Sequence, residues 1–292
     1  MRSNLVSKFI IDHTINDQLT LLTNLIEQAD YLLVGIGAGL SSADGFDYSQ
    51  KYLLQYFPDF QQKYHFLDLL QASLYDYPNQ QEYWAFQSRF VKHCFLDQPL
   101  GINHLKLKKL IKKKDYFVIT TNSDQQLIKT GFDLNRLFYI QGQYCQMQCV
   151  HFCSNQTYQD LNLINQMVQQ QKNLAIPYQL IPKCPECGSF LELNKRVAHK
   201  GMIEDATFRQ QEENYLRFLK KIKNQKVLLL EIGVGFVTPQ FIKLPFYQYL
   251  EENEQALLVI VNPKTYQYPK KIKNQVIHFQ EKVENLFQPL CI

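Results

Sequence analysis

Apolar residues in this chain gather into short, nearly continuous runs, and the segments between the runs carry apolar positions at helical spacing. Such runs, bounded by turn signals, predict buried strands. They cover residues 31–36, 116–120, 137–140, 227–232, 256–261 and 276–279. Because strands that alternate with helices form parallel βαβ units, the pattern predicts an α/β fold with a doubly wound, Rossmann-like parallel sheet.

Helices are expected between these runs. Residues 14–29 have the periodicity of an amphipathic helix, with Thr14 and Asp17 as caps. A lysine-rich helix over residues 100–114 is expected to expose its cations near its C-terminus, where the helix dipole favours them. Pro245 is expected near the kink or the end of a late helix. The remaining helices are expected over residues 125–130, over residues 211–224 and near the end of the chain.

Two stretches interrupt this alternation. Residues 50–98 carry tyrosine, phenylalanine and tryptophan at helical spacing without a strand pattern, which predicts an insertion of two or three helices with one buried aromatic face. Residues 143–205 contain paired cysteines and predict a small zinc-binding insertion. The main domain, which contains the Rossmann-like sheet, is therefore expected to comprise residues 1–49, 99–142 and 206–292.

Composition excludes several classes of partner. Lysine and arginine number 31 against 27 aspartate and glutamate, and a net charge of +4 is too small to indicate nucleic-acid binding. No apolar run approaches the ~20 residues of a membrane span, and the N-terminal residues lack the apolar region of a signal peptide. We therefore expect a cytoplasmic protein with no nucleic-acid or membrane partner. The cysteines are clustered, which suits a reducing compartment and a metal site.

Two cysteine pairs predict a structural zinc site. Cys149 and Cys153 are separated by three residues, and Cys184 and Cys187 by two. Two such pairs supply the four thiolates of a tetrahedral structural zinc. Cys145 stands before Cys149 at the same three-residue spacing, so it is the alternative ligand.

Glycine and polar residues follow the predicted strands at their carboxyl ends. Gly37 and Gly39 come directly after the run over residues 31–36, where glycine allows a sharp turn and a close approach of backbone N–H groups to a phosphate. Taken alone, these glycines fit a tight turn equally well. Asn122 and Gln141 follow two further runs. Open α/β sheets bind ligands at this edge, so it is the predicted ligand site.

The residues around these glycines resemble the NAD-binding opening of the sirtuins. The segment from Gly37 to Ser41 reads Gly-Ala-Gly-Leu-Ser, and Gly-Phe-Asp-Tyr-Ser follows from Gly45. Most sirtuins have Ile-Pro where Phe46 stands and Arg where Ser49 stands, and these departures resemble the macrodomain-linked bacterial branch of the family. The resemblance extends to residues 120–124, 141–142 and 233–239, to the cysteine pairs and to Asn262.

This resemblance implies an NAD site. The residues that it assigns to NAD are Gly37, Ala38, Gly39, Ser41, Asp47, Tyr48, Thr121, Asn122, Asp124, Gln141, Gly233, Val234, Gly235, Phe236 and Asn262. Asp124 is expected to hold the nicotinamide carboxamide, and Asn122 the ribose or an ordered water beside the reacting carbon. Residues 233–236 and Asn262 are expected at the adenosine half. Without the family context, Asn122 and Asp124 fit a helix cap equally well.

Gln141 is the departure that decides the expected chemistry. Deacylating sirtuins have histidine here, which takes a proton from a ribose hydroxyl, whereas glutamine can orient a hydroxyl but cannot accept its proton. Loss of nicotinamide can therefore proceed, and deacylation should fail. The resemblance implies an NAD-dependent protein ADP-ribosyltransferase with Asn122 and Gln141 as catalytic residues. It also implies a lipoylated carrier protein of the glycine-cleavage type as acceptor, and a macrodomain hydrolase as the partner that reverses the modification.

Two alternatives stay open. A lysine deacylase would need another titratable group near Gln141, and the nearest histidine in the sequence is His151. A non-catalytic module would bind NAD or ADP-ribose without releasing nicotinamide. A hydride-transfer dehydrogenase is disfavoured, because it would need an acidic residue about 20 residues after the glycines, at the end of a second strand, where this chain is aromatic.

Overall fold

The computed structural model describes residues 3–6, 9–12, 14–15 and 17–291. Residues 1–2, 7–8, 13, 16 and 292 of the predicted main domain lie outside the described part. The first elements are β1 (Ser3–Val6), β2 (Phe9–Asp12), α1 (Gln18–Gln28), β3 (Tyr31–Ile36) and α2 (Ala38–Ala43). They are followed by α3 (Gln50–Tyr56), α4 (Pro58–Tyr64), α5 (Leu69–Ser73), α6 (Gln80–Val91), a π-helical turn (Lys92–Leu96), α7 (Ile102–Ile111), β4 (Asp115–Thr120), α8 (Gln126–Lys129) and β5 (Leu137–Tyr139). The rest of the chain forms β6 (Gly142–Cys149), β7 (Thr157–Tyr158), α9 (Leu161–Gln170), β8 (Leu191–Lys195), α10 (Ala206–Ile222), β9 (Val227–Ile232), α11 (Lys243–Glu252), β10 (Leu257–Val261), β11 (Val276–Phe279) and α12 (Val283–Phe287).

A parallel sheet in the order β11-β10-β9-β3-β4-β5 forms the larger part of the structure. The chain runs from β3 outward through β4 to β5, and then returns to the other side of β3 for β9, β10 and β11. The order of the strands therefore reverses between β3 and β9, which is where open α/β sheets bind ligands. These two strands pair from Tyr31 opposite Val227 to Ile36 opposite Ile232. The loops that follow them consequently leave the sheet side by side.

Helices cover both faces of this sheet. Leu32 and Val34 of β3 share a core with α1, α7 and α12. Leu33 and Leu229 belong to the core that α10 and α11 form on the opposite face. Strands buried on both faces carry apolar residues at nearly every position, which explains the continuous runs in the sequence. The predicted α/β class with a doubly wound parallel sheet is confirmed. Within the described residues, no helix combines the length and apolar character that a bilayer crossing requires.

Residues 50–98 share a second core with the cysteine-bearing segment. Trp84 of α6 is fully buried there and donates its indole N–H to the carbonyl of Leu191 in β8 at 3.2 Å. Helix α6 also packs against α9, and β6 pairs antiparallel with β7 and β8. Both insertions expected from the sequence are present, and they fold together as one smaller module.

Helix ends differ from the sequence-based expectation. Helix α1 begins at Gln18 rather than near residue 14, because the Asp17 carboxylate accepts the Thr20 N–H and caps the helix there. The Thr14 N–H instead bonds the Asp12 carboxylate at 2.9 Å. Asp17 is therefore the cap and Thr14 is not.

The helical insertion contains more helices than expected. Residues 50–98, all of which the structure describes, form four α-helices and a π-helical turn rather than two or three helices. The additional boundaries arise because Ser49, Asp68 and Asn79 each accept a backbone N–H as an N-cap, while Pro58 occupies a first helical position.

Pro245 does not kink or end a helix, in contrast to the expectation. It lies in the first turn of α11. Backbone N–H groups in a first turn have no partner within the helix, so a proline there removes no helical hydrogen bond.

The loops after β3 and β9 are in direct backbone contact. Gly39 donates its N–H to the Gly233 carbonyl at 2.9 Å. A Cβ atom at Gly39 would lie 2.6 Å from the Gly233 Cα, and Gly233 itself has a φ of +61°. A side chain at either position would push the loops apart, so the meeting of the two loops requires glycine on both sides.

Gly39→Ala should lower the free energy of unfolding by about 1–3 kcal/mol, because the atom that blocks the new methyl group belongs to the backbone and cannot rotate away. Gly235→Ala is the matched control, since a Cβ there meets no atom within 4 Å. It should change the free energy of unfolding by less than about 0.5 kcal/mol. Urea denaturation measures both effects, and equal stabilities of the two variants would contradict the close approach.

Candidate active site

Two cavities open at the carboxyl edge of the sheet, next to the paired glycine loops. We call the one of about 320 Å³ the inner cavity. Its wall includes Tyr48, Ser73, Thr121, Asn122, Gln141, Tyr144, Lys195 and Arg196. The outer cavity, of about 470 Å³, has a wall that includes Gly39, Asp47, Gly233, Asn262, Lys264, Tyr266, Lys282 and Glu284. Ala38, Tyr48 and Gly235 line both cavities, so a single elongated ligand can extend from one into the other.

Most residues that the sequence assigned to NAD lie on these walls. Those on the inner cavity are Ala38, Tyr48, Thr121, Asn122, Gln141, Val234 and Gly235. Those on the outer cavity are Ala38, Gly39, Asp47, Tyr48, Gly233, Gly235 and Asn262. The four others stand back from both walls: Gly37, Ser41 and Asp124 are buried, and Phe236 is half exposed. The fold thus brings the set together, and the individual roles stay predictions.

A buried hydrogen-bond network fixes Asn122. Its Nδ2 donates to the Gly37 carbonyl and to the Ser41 hydroxyl, each at 3.0 Å. The Ser41 hydroxyl donates in turn to the Asp124 carboxylate, which also accepts the Gln126 N–H at 3.1 Å. Because Asn122 uses both hydrogens of its amide, its Oδ1 acceptor is what it can offer a ligand in the inner cavity. Asp124 itself is buried, and the N–H that its carboxylate accepts belongs to Gln126, the first residue of α8.

Arg196 is a cation of the inner cavity that the sequence did not single out. Its backbone N–H donates to the Gln141 carbonyl at 3.3 Å, and its Nε donates to the Ile140 carbonyl at 3.2 Å. Its guanidinium is paired with Glu204 at 2.7 Å. These bonds tie the end of β8 to the segment that carries Gln141. Arg196 and Gln141 are brought together only by the pairing of β6 with β8. No local pattern in the sequence could therefore have indicated that Arg196 belongs to the cavity.

Lys195 is the second cation that the sequence did not single out. It lies opposite Gly142 in the β6–β8 pairing, and its ammonium donates to the Ser73 carbonyl. Burial lowers the pKa of Lys195 to about 8, against a weaker opposing effect of Glu192. Among the described residues, no histidine and no carboxylate lines the inner cavity. Besides Tyr48, Tyr144 and Arg196, Lys195 is the titratable side chain of this wall, and its lowered pKa makes it the base on which a deacylase would draw.

Asn262 joins a third loop to the outer cavity. Its Nδ2 donates to the Val234 carbonyl at 2.9 Å, and its Oδ1 accepts the Lys264 N–H at 2.9 Å. The loop that follows β10 is thereby fixed to the glycine loop that follows β9. Asp47 has a similar local role, because its carboxylate accepts the Ser49 N–H at 2.8 Å at the start of α3.

The predicted zinc ligands form one cluster. The Sγ atoms of Cys149, Cys153, Cys184 and Cys187 all lie within 4.8 Å of one another. The sulfurs of Cys149 and Cys187 are 3.6 Å apart, and those of Cys153 and Cys184 are 3.5 Å apart. Four thiolates around a tetrahedral zinc lie about 3.8 Å from one another, so the arrangement fits structural zinc. Hydrogen bonds from Ser189 lower the pKa of Cys187 to about 6, which favours the thiolate that binds metal.

Cys145, the alternative ligand, lies outside this cluster. Its thiol is buried and accepts a hydrogen bond from the Gln125 Nε2 at 2.7 Å. Burial raises the pKa of Cys145 to about 11. Strand β6 separates the two positions, because Cys145 lies in its middle and Cys149 at its end.

Cys184→Ser should lose zinc and lower the melting temperature, because a structural zinc site contributes directly to folding. Cys145→Ala is the control, since it removes a buried thiol outside the cluster, and it should retain one zinc per chain. Elemental analysis of protein purified without chelator measures the metal. Wild-type protein without zinc would contradict the assignment.

Comparisons with known proteins agree with this geometry. No family model matches the chain. A Staphylococcus aureus (strain Mu50 / ATCC 700699) protein named "Protein ADP-ribosyltransferase" is 45% identical over 269 residues, which are 92% of this chain and 85% of that protein. A Fusarium oxysporum f. sp. cubense protein named "Probable bifunctional ADP-ribose hydrolase/ADP-ribosyltransferase" is 25% identical over 257 residues, 80% of this chain and 40% of that protein.

Solved structures show the same fold. Sir2Tm bound to a propionylated peptide superposes with a TM-score of 0.61 at 17% identity, covering 93% of this chain and 96% of that one. A complex of a Sir2 homologue with NAD gives a TM-score of 0.61 at 16% identity, with 92% and 91% covered. These similarities establish the sirtuin fold, while the high identity to the Staphylococcus protein over nearly the whole chain establishes the subgroup. The chain belongs to the sirtuin-type family of protein ADP-ribosyltransferases.

Proposed function

We propose that this chain cleaves NAD between nicotinamide and ribose and transfers the ADP-ribose to a lipoylated carrier protein of the glycine-cleavage type. The observation that carries the proposal is the composition of the inner cavity. Gln141 and Asn122 line it together, and no histidine is found among the described residues of its wall. The cavity can therefore stabilise and orient a ribosyl group, but it does not offer the imidazole base on which sirtuin deacylation depends.

NAD would span the two cavities. The glycine loops lie at their shared side, so Gly37, Ala38 and Gly39 are proposed to approach the diphosphate. Nicotinamide and its ribose would occupy the inner cavity, and adenosine the outer one. Of the other residues assigned to NAD, Gly233 and Asn262 would contact the adenosine half in the outer cavity.

Asn122 would act through its carbonyl oxygen. Departure of neutral nicotinamide leaves positive charge on the ribose, and the negative end of a fixed amide dipole stabilises such charge. The two hydrogen bonds that the Asn122 Nδ2 donates hold this dipole before NAD binds. Gln141 would hold a ribose hydroxyl without deprotonating it.

An exposed apolar rim supports the choice of acceptor. Leu74 and Val237 line the inner cavity, and they are 47% and 79% exposed. A long apolar arm such as a lipoyl group would cover these side chains as it enters, which is favourable. We propose a macrodomain hydrolase as the partner that removes the ADP-ribose. The Fusarium relative supports this pairing, because its name combines the two activities. The reaction would take place in the cytoplasm, where thiols stay reduced.

Asn122→Ala should lower the rate of ADP-ribose transfer by about 10²-fold or more, because it removes the fixed dipole. Asn253→Ala is the matched control. Asn253 is also buried and donates two hydrogen bonds through Nδ2, to the Gln225 carbonyl and the Tyr249 hydroxyl. Both variants should lose a similar free energy of unfolding, about 1–3 kcal/mol. Transfer measured by mass spectrometry should fall only for Asn122→Ala, and equal activity of the two variants would show that Asn122 has only a structural role.

A competition experiment separates the proposed function from its alternatives. Wild-type protein is incubated with NAD, an acetylated lysine peptide and a lipoylated carrier protein, and mass spectrometry follows both acceptors. We expect nicotinamide release, an ADP-ribose adduct on the carrier and an unchanged acetyl peptide. Loss of a general base typically lowers a rate by about 10²- to 10⁴-fold, which is enough to hide deacylation.

The variants of this experiment test single groups. Gln141→Ala should weaken transfer, since the sugar is oriented less well, while NAD still binds. Deacetylation without an adduct would overturn the proposal in favour of a deacylase. If Lys195→Met then abolished deacetylation, Lys195 would be identified as the base. Binding of NAD with no nicotinamide release would favour the non-catalytic module.

A further inference from the structure

We propose that Tyr266 is the surface on which the adenine base stacks in the outer cavity, and that the buried ion pair of Glu231 and Lys243 holds its ring in place. The inference rests on the proposed function, in which adenosine occupies the outer cavity. It adds a specificity-determining residue and two positioning residues that are not among the residues assigned to NAD from the sequence.

The ion pair is unusual in its surroundings. Glu231 is the one charged residue of β9, which is otherwise apolar, and both side chains are 0% exposed. The Lys243 Nζ lies 2.5 Å from the Glu231 Oε1, while the Glu231 Oε2 has no hydrogen-bond partner in the described part of the chain. Burial raises the pKa of Glu231. A buried ion pair is seldom more stabilising than apolar side chains of the same size, so the pair calls for a role other than stability.

The neighbour of this pair is Tyr266. The Lys243 Nζ lies 4.4 Å from the centre of the Tyr266 ring. A desolvated ammonium is attracted to an aromatic face more strongly than an exposed one. Glu231 fixes the ammonium, and the ammonium fixes the ring. Phe236 stacks on the same tyrosine with ring centres 5.7 Å apart and planes at 25°. Lys243 thus holds the ring from the core, and the half-exposed Phe236 ring lies where adenine would stack, so the base would displace the Phe236 side chain.

The position of Tyr266 fits the adenine end of NAD. It lies four residues after Asn262, in the same loop, and lines the outer cavity. The reacting bond is assigned to the other cavity by Asn122 and Gln141, so the outer cavity receives the far end of the dinucleotide. Adenine is flat and gains most from an aromatic plane. Tyr48, the other aromatic residue on this wall, also lines the inner cavity, which leaves Tyr266 as the aromatic plane confined to the outer one.

The test combines calorimetry with steady-state kinetics. Tyr266→Ala should raise the Kd for ADP-ribose by about 5- to 150-fold, the range found when a stacking aromatic is removed from a base. In a nicotinamide-release assay the same variant should raise KM for NAD and leave kcat near the wild-type value, because the reacting end is untouched. Tyr266→Phe keeps the plane and should bind ADP-ribose like the wild type.

The double variant Glu231→Gln/Lys243→Met tests the positioning residues, because it removes both charges with little change in volume. It should raise the Kd for ADP-ribose in the same direction as Tyr266→Ala, by a smaller factor, and combining it with Tyr266→Ala should add little further loss.

The outcomes are distinct. Wild-type Kd for ADP-ribose in the Tyr266→Ala variant, or a fall in kcat with unchanged KM, would overturn the stacking role. If the losses of ADP-ribose affinity caused by the double variant and by Tyr266→Ala simply add in the combined variant, the positioning role of Glu231 and Lys243 would be overturned. If the wild type binds ADP-ribose and Tyr266→Ala weakens it, but no nicotinamide is released from NAD, the proposed function fails while the adenine site stands. If the wild type does not bind ADP-ribose, both are overturned.

Discussion

The contact between the loops after β3 and β9 is the constraint on which the rest of the site depends. The Gly39 N–H meets the Gly233 carbonyl at 2.9 Å, and neither residue has space for a side chain. Parallel pairing of β3 with β9 sets the two loops side by side, and glycine allows them to touch. Both cavities border on this contact, and Ala38 and Gly235 of the two loops line both of them. A ligand that spans the cavities therefore passes close to the backbone of these loops, as a diphosphate bound at glycine loops does.

Chemistry in the inner cavity depends on how the smaller module is attached. Strand β6 begins at Gly142, directly after Gln141, and ends at Cys149 in the cysteine cluster. Its partner β8 ends at Lys195 and is followed by Arg196, which bonds the Gln141 carbonyl. A zinc at the cluster would thus stabilise one end of the antiparallel pair of β6 and β8, whose other end forms part of the cavity wall.

The sequence predicted those features whose cause is local. The buried strands appear as apolar runs because both faces of each strand are covered, and the four zinc ligands appear as two spaced pairs. Helix starts were predicted less accurately, since Asp17 rather than Thr14 caps α1 and Pro245 lies within the first turn of α11. The sequence predicted fewer helices in the aromatic insertion than the structure contains, because the aromatic spacing continues across the N-caps that separate the short helices. The antiparallel pairing of β1 with β2 was not predicted from the sequence at all.

Features that depend on pairing between distant segments could not be read in advance. Lys195 and Arg196 reach Gln141 only through the antiparallel pairing of β6 and β8. Tyr266 reaches the outer cavity only because Asn262 ties its loop to the Val234 carbonyl. Glu231 did carry a signal, as a single charge within an apolar strand, but its partner Lys243 lies beyond an irregular loop. Asp124, which is expected to hold the nicotinamide carboxamide, is buried and accepts the Ser41 hydroxyl in the structure, and its contact with the ligand stays a prediction.

Hydrogen–deuterium exchange with and without ADP-ribose tests the central claim most directly, namely that the two glycine loops together form one nucleotide site. The account predicts slower exchange of backbone amides in both residues 37–48 and residues 233–238, with a smaller effect over residues 262–266. Residues 50–64, none of which lines either cavity, should exchange unchanged. Protection confined to one glycine loop, or found only outside both, would contradict the account.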